Sequence, residues 1–172
     1  MAMQQMQQYI KVTLSYEEEI LAHGAGWDRA KEINWTGTNH QRRRNMLSNY
    51  HDFIAELSES VASEMVVAKW LGIKDFKPTI NGFKNVADIA RNIEVKWSRW
   101  HDAHLILHEY DRDTDVAFLV VGKSPTYYIV GWSPVALGKA RQHWVQAERN
   151  WWIPQIALMP PQSYKGSMYA AI

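Results

Sequence analysis

Across residues 48–71 the apolar side chains return at the period of an α-helix, and no other feature restricts the fold of this chain as strongly. At roughly 100° per residue, Tyr50, Phe53, Ile54, Leu57, Val61, Met65, Ala68 and Leu71 form one stripe, and Gly72 supplies the stop. A helix with one apolar face must bury it against another layer. Asp52, Glu56 and Glu59 fall off the stripe, as solvated residues should. Glu64 falls on it, angularly between Leu57 and Leu71. A carboxylate on a buried face is costly unless it is paired or bound to a metal. Glu64 is therefore either the edge partner of a Lys or Arg, or part of a site.

The layer that receives this helix is legible downstream. Residues 76–80 and 82–89 read as extended, with Asn81-Gly82 as the turn. Residues 86–97 read as two short strands joined by a tight turn, the second over 93–97. A strand runs through Leu105-Ile106-Leu107, and Asp111 to Asp115 forms a polar, solvated turn. The continuous apolar run 116–122 is a strand buried on both faces, and 127–132 is another strand. Ser133 as N-cap and Pro134 at the first position open a helix to about Trp144. Residues 151–158 are a short extended piece, and the tail from Pro160 is irregular. Upstream, Ile10, Leu14 and Leu21 give residues 9–22 helical character, broken by Gly24 and Gly26, with a loop to Thr38. The expected class is α/β (α+β), a mixed central sheet flanked by helices. Residues 1–47 form an N-terminal helical extension and residues 48–172 the core with its C-terminal tail, in one compact domain. A length of 172 residues suits a single core of that size.

Composition sets limits on function. The net charge of +1 gives no global attraction to nucleic acid, so any basic surface must be local. With no cysteine, disulfides and Cys-ligated zinc are excluded, which fits a reducing compartment. The longest apolar runs, such as 116–121, are far too short to span a membrane. The Met- and Gln-rich start lacks the pattern of a secretory signal. Nine tryptophans are unusual, and most are expected to pack in the core.

The chemistry is concentrated in Glu94-Val95-Lys96. Side chains alternate along a strand, so Glu94 and Lys96 share a face and Val95 takes the other. With Asp88 at the end of the preceding strand, two carboxylates and an ammonium converge beside a buried apolar residue. Carboxylate oxygens suit a hard cation such as Mg²⁺. A cation there polarises a phosphodiester and acidifies a water, while a neighbouring Lys orients that water or offsets charge on the phosphate. The same triplet is also common as an exposed ion-pair row. What favours chemistry is the hydrophobic strand, the preceding Asp and the misplaced Glu64.

Other clusters carry less. His101, His104 and His108 would share a face on a helix and suit zinc, but Leu105-Ile106-Leu107 reads as strand and scatters them. Asp111, Asp113 and Asp115 resemble the opening of a calcium loop but lack its Gly and terminal Glu. Arg42, Arg43 and Arg44 are either a solvated run or contacts to a phosphate backbone; Lys84, Arg91 and Arg99 flank the candidate site and serve the same end. Gly24-Ala25-Gly26 lacks the Lys-Ser/Thr of a phosphate loop.

Over roughly residues 55–132 the chain resembles the PD-(D/E)XK nuclease superfamily, which includes restriction endonucleases, Holliday-junction resolvases and phage exonucleases. Glu64 within Ala62-Ser63-Glu64-Met65 is similar to the acidic residue of the first core helix, Val86-Ala87-Asp88 to the PD strand end, and Glu94-Val95-Lys96 to the (D/E)XK strand. Ala87 stands in place of the Pro, and five residues separate Asp88 from Glu94. The segment Trp152-Ile153-Pro154-Gln155, followed by Leu158, resembles a subset of small phage-type members.

The resemblance implies a restriction-endonuclease-like core and a Mg²⁺-dependent nuclease, with Mn²⁺ able to substitute, that hydrolyses DNA by a metal-activated water. It implies Asp88 and Glu94 as metal-binding carboxylates and the Val95 carbonyl as a third oxygen. Lys96 then positions the water, and Glu64 assists metal binding directly or through a water. DNA is the implied partner, with homodimerisation compatible with cutting two strands. The location is cytoplasmic, in the host if phage-encoded. The rival expectations are a DNA-binding protein that keeps this fold without cutting, and a phage structural or interaction protein whose E-x-K is a surface ion pair.

Overall fold

The computed structural model describes residues 9–33, 49–80 and 86–170. The chain opens with β1 (Ile10–Thr13) and helix α1 (Tyr16–Glu32). Ser15 and Glu18 start α1 with a reciprocal capping box: Ser15 Oγ accepts from the Glu18 N–H, and Glu18 Oε2 accepts from the Ser15 N–H. The helix does not stop at Gly24 and Gly26 as expected. A Cβ at Gly26 would stand 2.6 Å from the backbone nitrogen of Ser58 on the next helix. Glycine there is the condition for two helices to approach closely, and that packing outweighs the roughly 1 kcal/mol it costs in helix propensity.

Helix α2 (Tyr50–Leu71) forms where its periodicity places it. Asn49 caps it by accepting from the Asp52 N–H, and Gly72 ends it in the left-handed region at φ +79°. Its buried face is wider than the expected stripe. It takes in Ala62, Ser63, Glu64, Val66 and Val67, whereas Leu57, Met65 and Leu71 are only half-buried. The cause is that α2 is covered from two sides, by α1 and by the main sheet.

The remaining elements are β2 (Ile93–Ser98), β3 (Leu105–Leu107), β4 (Val116–Lys123), β5 (Thr126–Pro134), a single turn α3 (Val135–Gly138), β6 (Trp144–Val145) and β7 (Asn150–Ile153). The main sheet has the order β1-β5-β4-β2, with β2 and β4 parallel and the other pairs antiparallel. A smaller antiparallel sheet, β3-β7-β6, lies on its far side. Alternate residues of β4 therefore face opposite cores. Val116, Phe118 and Val120 join Val61, Val66 and Val67 of α2, while Ala117, Leu119 and Val121 join Leu105, Leu107 and Ile153. Burial on both faces explains why β4 has no polar alternation. The expected mixed α/β architecture with a mixed sheet is what the chain adopts. The segment read as an N-terminal extension contributes β1 as an edge strand beside β5 and α1 as a layer on α2.

Three local expectations are corrected. Residues 76–80 form no strand; of the turn and strand expected over 81–89, residues 81–85 lie outside the described residues, and residues 86–89 contribute a bridge, with Ile89 and Ile93 exchanging backbone hydrogen bonds of 3.0 and 3.2 Å across a turn. The helix expected over 133–144 is one turn long. Ser133 and Pro134 stay in β5, where Ser133 Oγ bonds the Pro134 carbonyl instead of capping, and Lys139 leaves the helix to put its ammonium on the Glu109 and Asp111 carbonyls. The 111–115 turn is solvated only at its centre: Asp113 and Thr114 are exposed, whereas Asp111 is 5% and Asp115 1% exposed.

Candidate functional site

The turn before β2 brings Asp88 onto the open edge of that strand, because Ile89 pairs with Ile93. Asp88 Oδ2 then accepts from the Val95 N–H at 2.7 Å. Strand alternation does the rest, with Val95 buried on the helix side and Glu94 and Lys96 half-buried on the other. Asp88 and Glu94 are close enough for each to act on the other's charge. Burial, and then the Asp88 charge, push the Glu94 carboxyl up to about 8 against the lowering effect of Lys96. Asp111 and Asp115 add to the rise. Burial also raises Asp88, opposed by the Val95 N–H and by Lys96 and Arg29. No hydrogen bond or ion pair reaches the Glu94 carboxylate among the described residues.

Lys96 Nζ bonds Asp111 Oδ1 at 2.7 Å, and Asp111 Oδ2 accepts from the His108 N–H at 2.7 Å. Burial works against the Lys96 charge, but Asp111, followed by Glu94 and Tyr110, offsets it, so the ammonium is held above its usual value. Arg112 Nε closes the acidic end with a 2.8 Å bond to Asp115 Oδ2.

Glu64 is 2% exposed, and both its oxygens are held by Arg29 of α1, Nη1 to Oε1 and Nη2 to Oε2, each at 2.8 Å. Arg29 Nε bonds the Thr79 carbonyl at 2.7 Å, so the guanidinium is fixed by three contacts. Burial raises Glu64 to about 7 against Arg29, and Asp88 adds to that rise, which places Glu64 within electrostatic reach of the site. The same pair holds Arg29 above its usual value despite burial. Glu64 thus meets the alternative stated for it, a pairing with Arg, yet it does so on a fully buried face and within electrostatic reach of Asp88.

Asp88, Glu94 and Lys96 lie within electrostatic reach of one another, Glu64 is bonded to Arg29, and Val95 engages Asp88 by its N–H. Arg99 is turned onto Glu56 of α2 at 3.2 Å, with its Nε buried and lacking a hydrogen bond. Arg91 is exposed on the turn before β2, and its carbonyl accepts from Arg112. Arg42, Arg43, Arg44 and Lys84 lie outside the described residues. The histidines are scattered as a strand requires: His101 lies against Tyr128, His104 against Trp152 and His108 on Tyr110. Among the described residues no set of three or more acidic, His or Cys side chains is gathered tightly enough to hold a metal alone. Two carboxylates are what remain, and Mg²⁺ is commonly held by one or two carboxylates with waters and substrate phosphate completing its shell.

Sequence reading missed Arg29, Asp111, Asp115 and Arg112. For Arg29 a signal existed: Ala22, Gly26, Arg29 and Ala30 recur at helical spacing, and all four are buried. For Asp111 and Asp115 nothing local distinguishes a buried acid from a turn acid.

The raised Glu94 gives a pH signature. Its carboxyl keeps a proton in the folded protein up to about 8, whereas the unfolded chain releases it near 4.5. Between those values the folded state binds more protons, so this group's contribution to stability falls as pH rises. The melting temperature without metal is expected to drop from pH 5 to pH 9, and Glu94→Gln should flatten that slope. A slope unaffected by the substitution contradicts the assignment.

Comparison with protein-family models, curated proteins and solved structures gives no match to the chain. Among the described residues no helix is long and apolar enough to cross a membrane.

Proposed function

We propose that the protein is a Mg²⁺-dependent nuclease with a PD-(D/E)XK-type core, hydrolysing phosphodiester bonds of DNA. The observation that carries this reading is the Glu94 carboxylate: half-buried, raised first by burial and then by Asp88, and without a bonding partner among the described residues. An acid kept in that state is costly, and a divalent cation shared with Asp88 relieves both burial and repulsion. The donor set fits, being hard oxygens of two carboxylates. Bound there, the cation supplies electrophilic activation of a phosphodiester and of a water.

The residues of the chain have separable tasks in this reading. Asp88, fixed by the Val95 N–H, presents its other oxygen, and Glu94 supplies the second carboxylate. Lys96 keeps a positive charge beside them and offsets charge gathering on the phosphate. Glu64 acts through its pair with Arg29, whose charge helps to keep Asp88 ionised. Parallel β2 and β4 beneath a long helix also support the restriction-endonuclease-like core. Arg42, Arg43, Arg44, Lys84 and Arg91 supply contacts to the DNA backbone. A homodimer, with two such sites, accounts for cutting both strands, and a cytoplasmic location, in the host for a phage-encoded chain, goes with a DNA substrate.

The test is incubation of the purified protein with duplex, single-stranded and branched DNA and with RNA, in Mg²⁺, Mn²⁺ or EDTA. Cleavage of DNA with either cation and none in EDTA is expected. Failure to cut any substrate in either metal rejects the enzyme, and DNA affinity unaltered by EDTA would then favour a binding protein on this fold.

A further inference from the structure

Glu94 and Lys96 stand two residues apart on one face of β2, where opposite charges within reach of each other attract. They do not pair in this protein. Lys96 Nζ bonds Asp111 Oδ1 instead, at 2.7 Å. Asp111 is built for the purpose. It is 5% exposed, its second oxygen accepts from the His108 N–H at 2.7 Å, and its own N–H donates to the His108 carbonyl at 3.1 Å. Its carbonyl accepts from Lys139 Nζ at 2.6 Å, and that ammonium is also held by Asp113 Oδ1 at 2.8 Å. Lys139 thus clamps the Asp111 backbone and leaves the carboxylate to Lys96.

We propose that Asp111 is a positioning residue that draws the Lys96 ammonium off Glu94, leaving the Glu94 carboxylate open to a divalent cation with a positive charge fixed beside it. This rests on the cation site proposed above. The alternative geometry, a Glu94–Lys96 pair, would neutralise both groups against each other.

Asp111→Asn separates the two tasks of this carboxylate. The amide has the size of the acid, but one of the two oxygens that accept separately from Lys96 and from the His108 N–H becomes an NH2, which accepts from neither. Its crystal structure should show Lys96 Nζ within hydrogen-bond distance of the Glu94 carboxylate. Calorimetry with Mn²⁺ should show affinity about tenfold or more weaker than wild type, the range for loss of a group that orients a metal ligand. Adding Lys96→Ala to Asp111→Asn should return the affinity to that of Lys96→Ala alone, because no ammonium is left to compete. Asp111→Glu, which keeps the charge, should bind Mn²⁺ far better than Asp111→Asn, and it serves as the test variant if the amide destabilises the turn. Lys96 remaining beside residue 111 in the Asp111→Asn variant, or a double variant as weak as Asp111→Asn, overturns the proposal. If the wild type binds no Mn²⁺, the cation site itself fails, and the position of Lys96 in the Asp111→Asn structure still decides whether Asp111 diverts it.

Discussion

Arg29→Ala should destabilise the protein by about 3–5 kcal/mol, the range for removing one partner of a buried ion pair. The substitution leaves Glu64 at 2% exposure with both oxygens stripped of their donors, and the Thr79 carbonyl loses its bond from Nε. Most of the loss is the penalty on the carboxylate left behind, not the worth of the pair itself. The double variant Arg29→Met with Glu64→Leu should therefore recover much of the stability, since apolar groups of similar volume often replace a buried pair without loss. Urea unfolding of the two variants checks this, with the coupling read from the full cycle. A single variant that loses less than about 1 kcal/mol, the worth of an exposed pair, would mean that water reaches Glu64, and the reading of its surroundings would be wrong.

Asp88→Asn and Lys96→Ala should each lower DNA cleavage on the order of 10²-fold or more, as loss of a group that stabilises developing charge does. The two losses have different origins. In Asp88→Asn the side-chain amide oxygen can still accept from the Val95 N–H, so the turn survives while the negative charge is lost. Cleavage by Asp88→Asn should then recover in part as the Mg²⁺ concentration is raised. Lys96→Ala removes charge stabilisation and takes the donor from Asp111 Oδ1 while leaving the Asp88 and Glu94 side chains in place, so no concentration of metal restores it. Far-UV circular dichroism of both variants should match the wild type, because neither side chain lies in the apolar core. Cleavage at the wild-type rate by both variants removes Asp88 and Lys96 from the chemistry.

The parts of this fold set by local rules were legible in the sequence. The α2 period, the Gly72 stop and the unbroken apolar run of β4 each follow from one element's own burial pattern. What escaped was set by contact between distant segments. Gly24 and Gly26 read as breakers because nothing in the sequence shows that Ser58 lies against Gly26. The helix start is nevertheless written in Ser15 and Glu18, a capping box that the apolar spacing from Tyr9 obscures. Ahead of Glu94 the described residues 86–89 form one bridge, and the Val95 N–H takes the Asp88 side chain as its acceptor.

The candidate site divides in the same way. Glu94 and Lys96 could be placed on a common face from strand geometry alone, and Glu64 could be marked as out of place on its stripe. The partners that decide their chemistry could not. Arg29 comes from 35 residues before Glu64, and Asp111 from 15 residues after Lys96. An acid in a short polar turn carries no local sign of burial, so Asp111 and Asp115 read as solvated. Asp111 is held by Lys96 and Lys139, and Asp115 by Arg112 and the Val135 N–H, partners that come together only when the chain is assembled.

The most direct test of the account is a calorimetric titration of the wild type with Mg²⁺ at pH 7 in two buffers of different ionisation heat. Glu94 holds its proton at that pH and must give it up to bind a cation. Binding should therefore release close to one proton per ion, the release should fade by pH 9, and Glu94→Gln should abolish it. Absence of binding, or binding with no proton released and no change in Glu94→Gln, would contradict the claim that Asp88 and Glu94 together hold the ion.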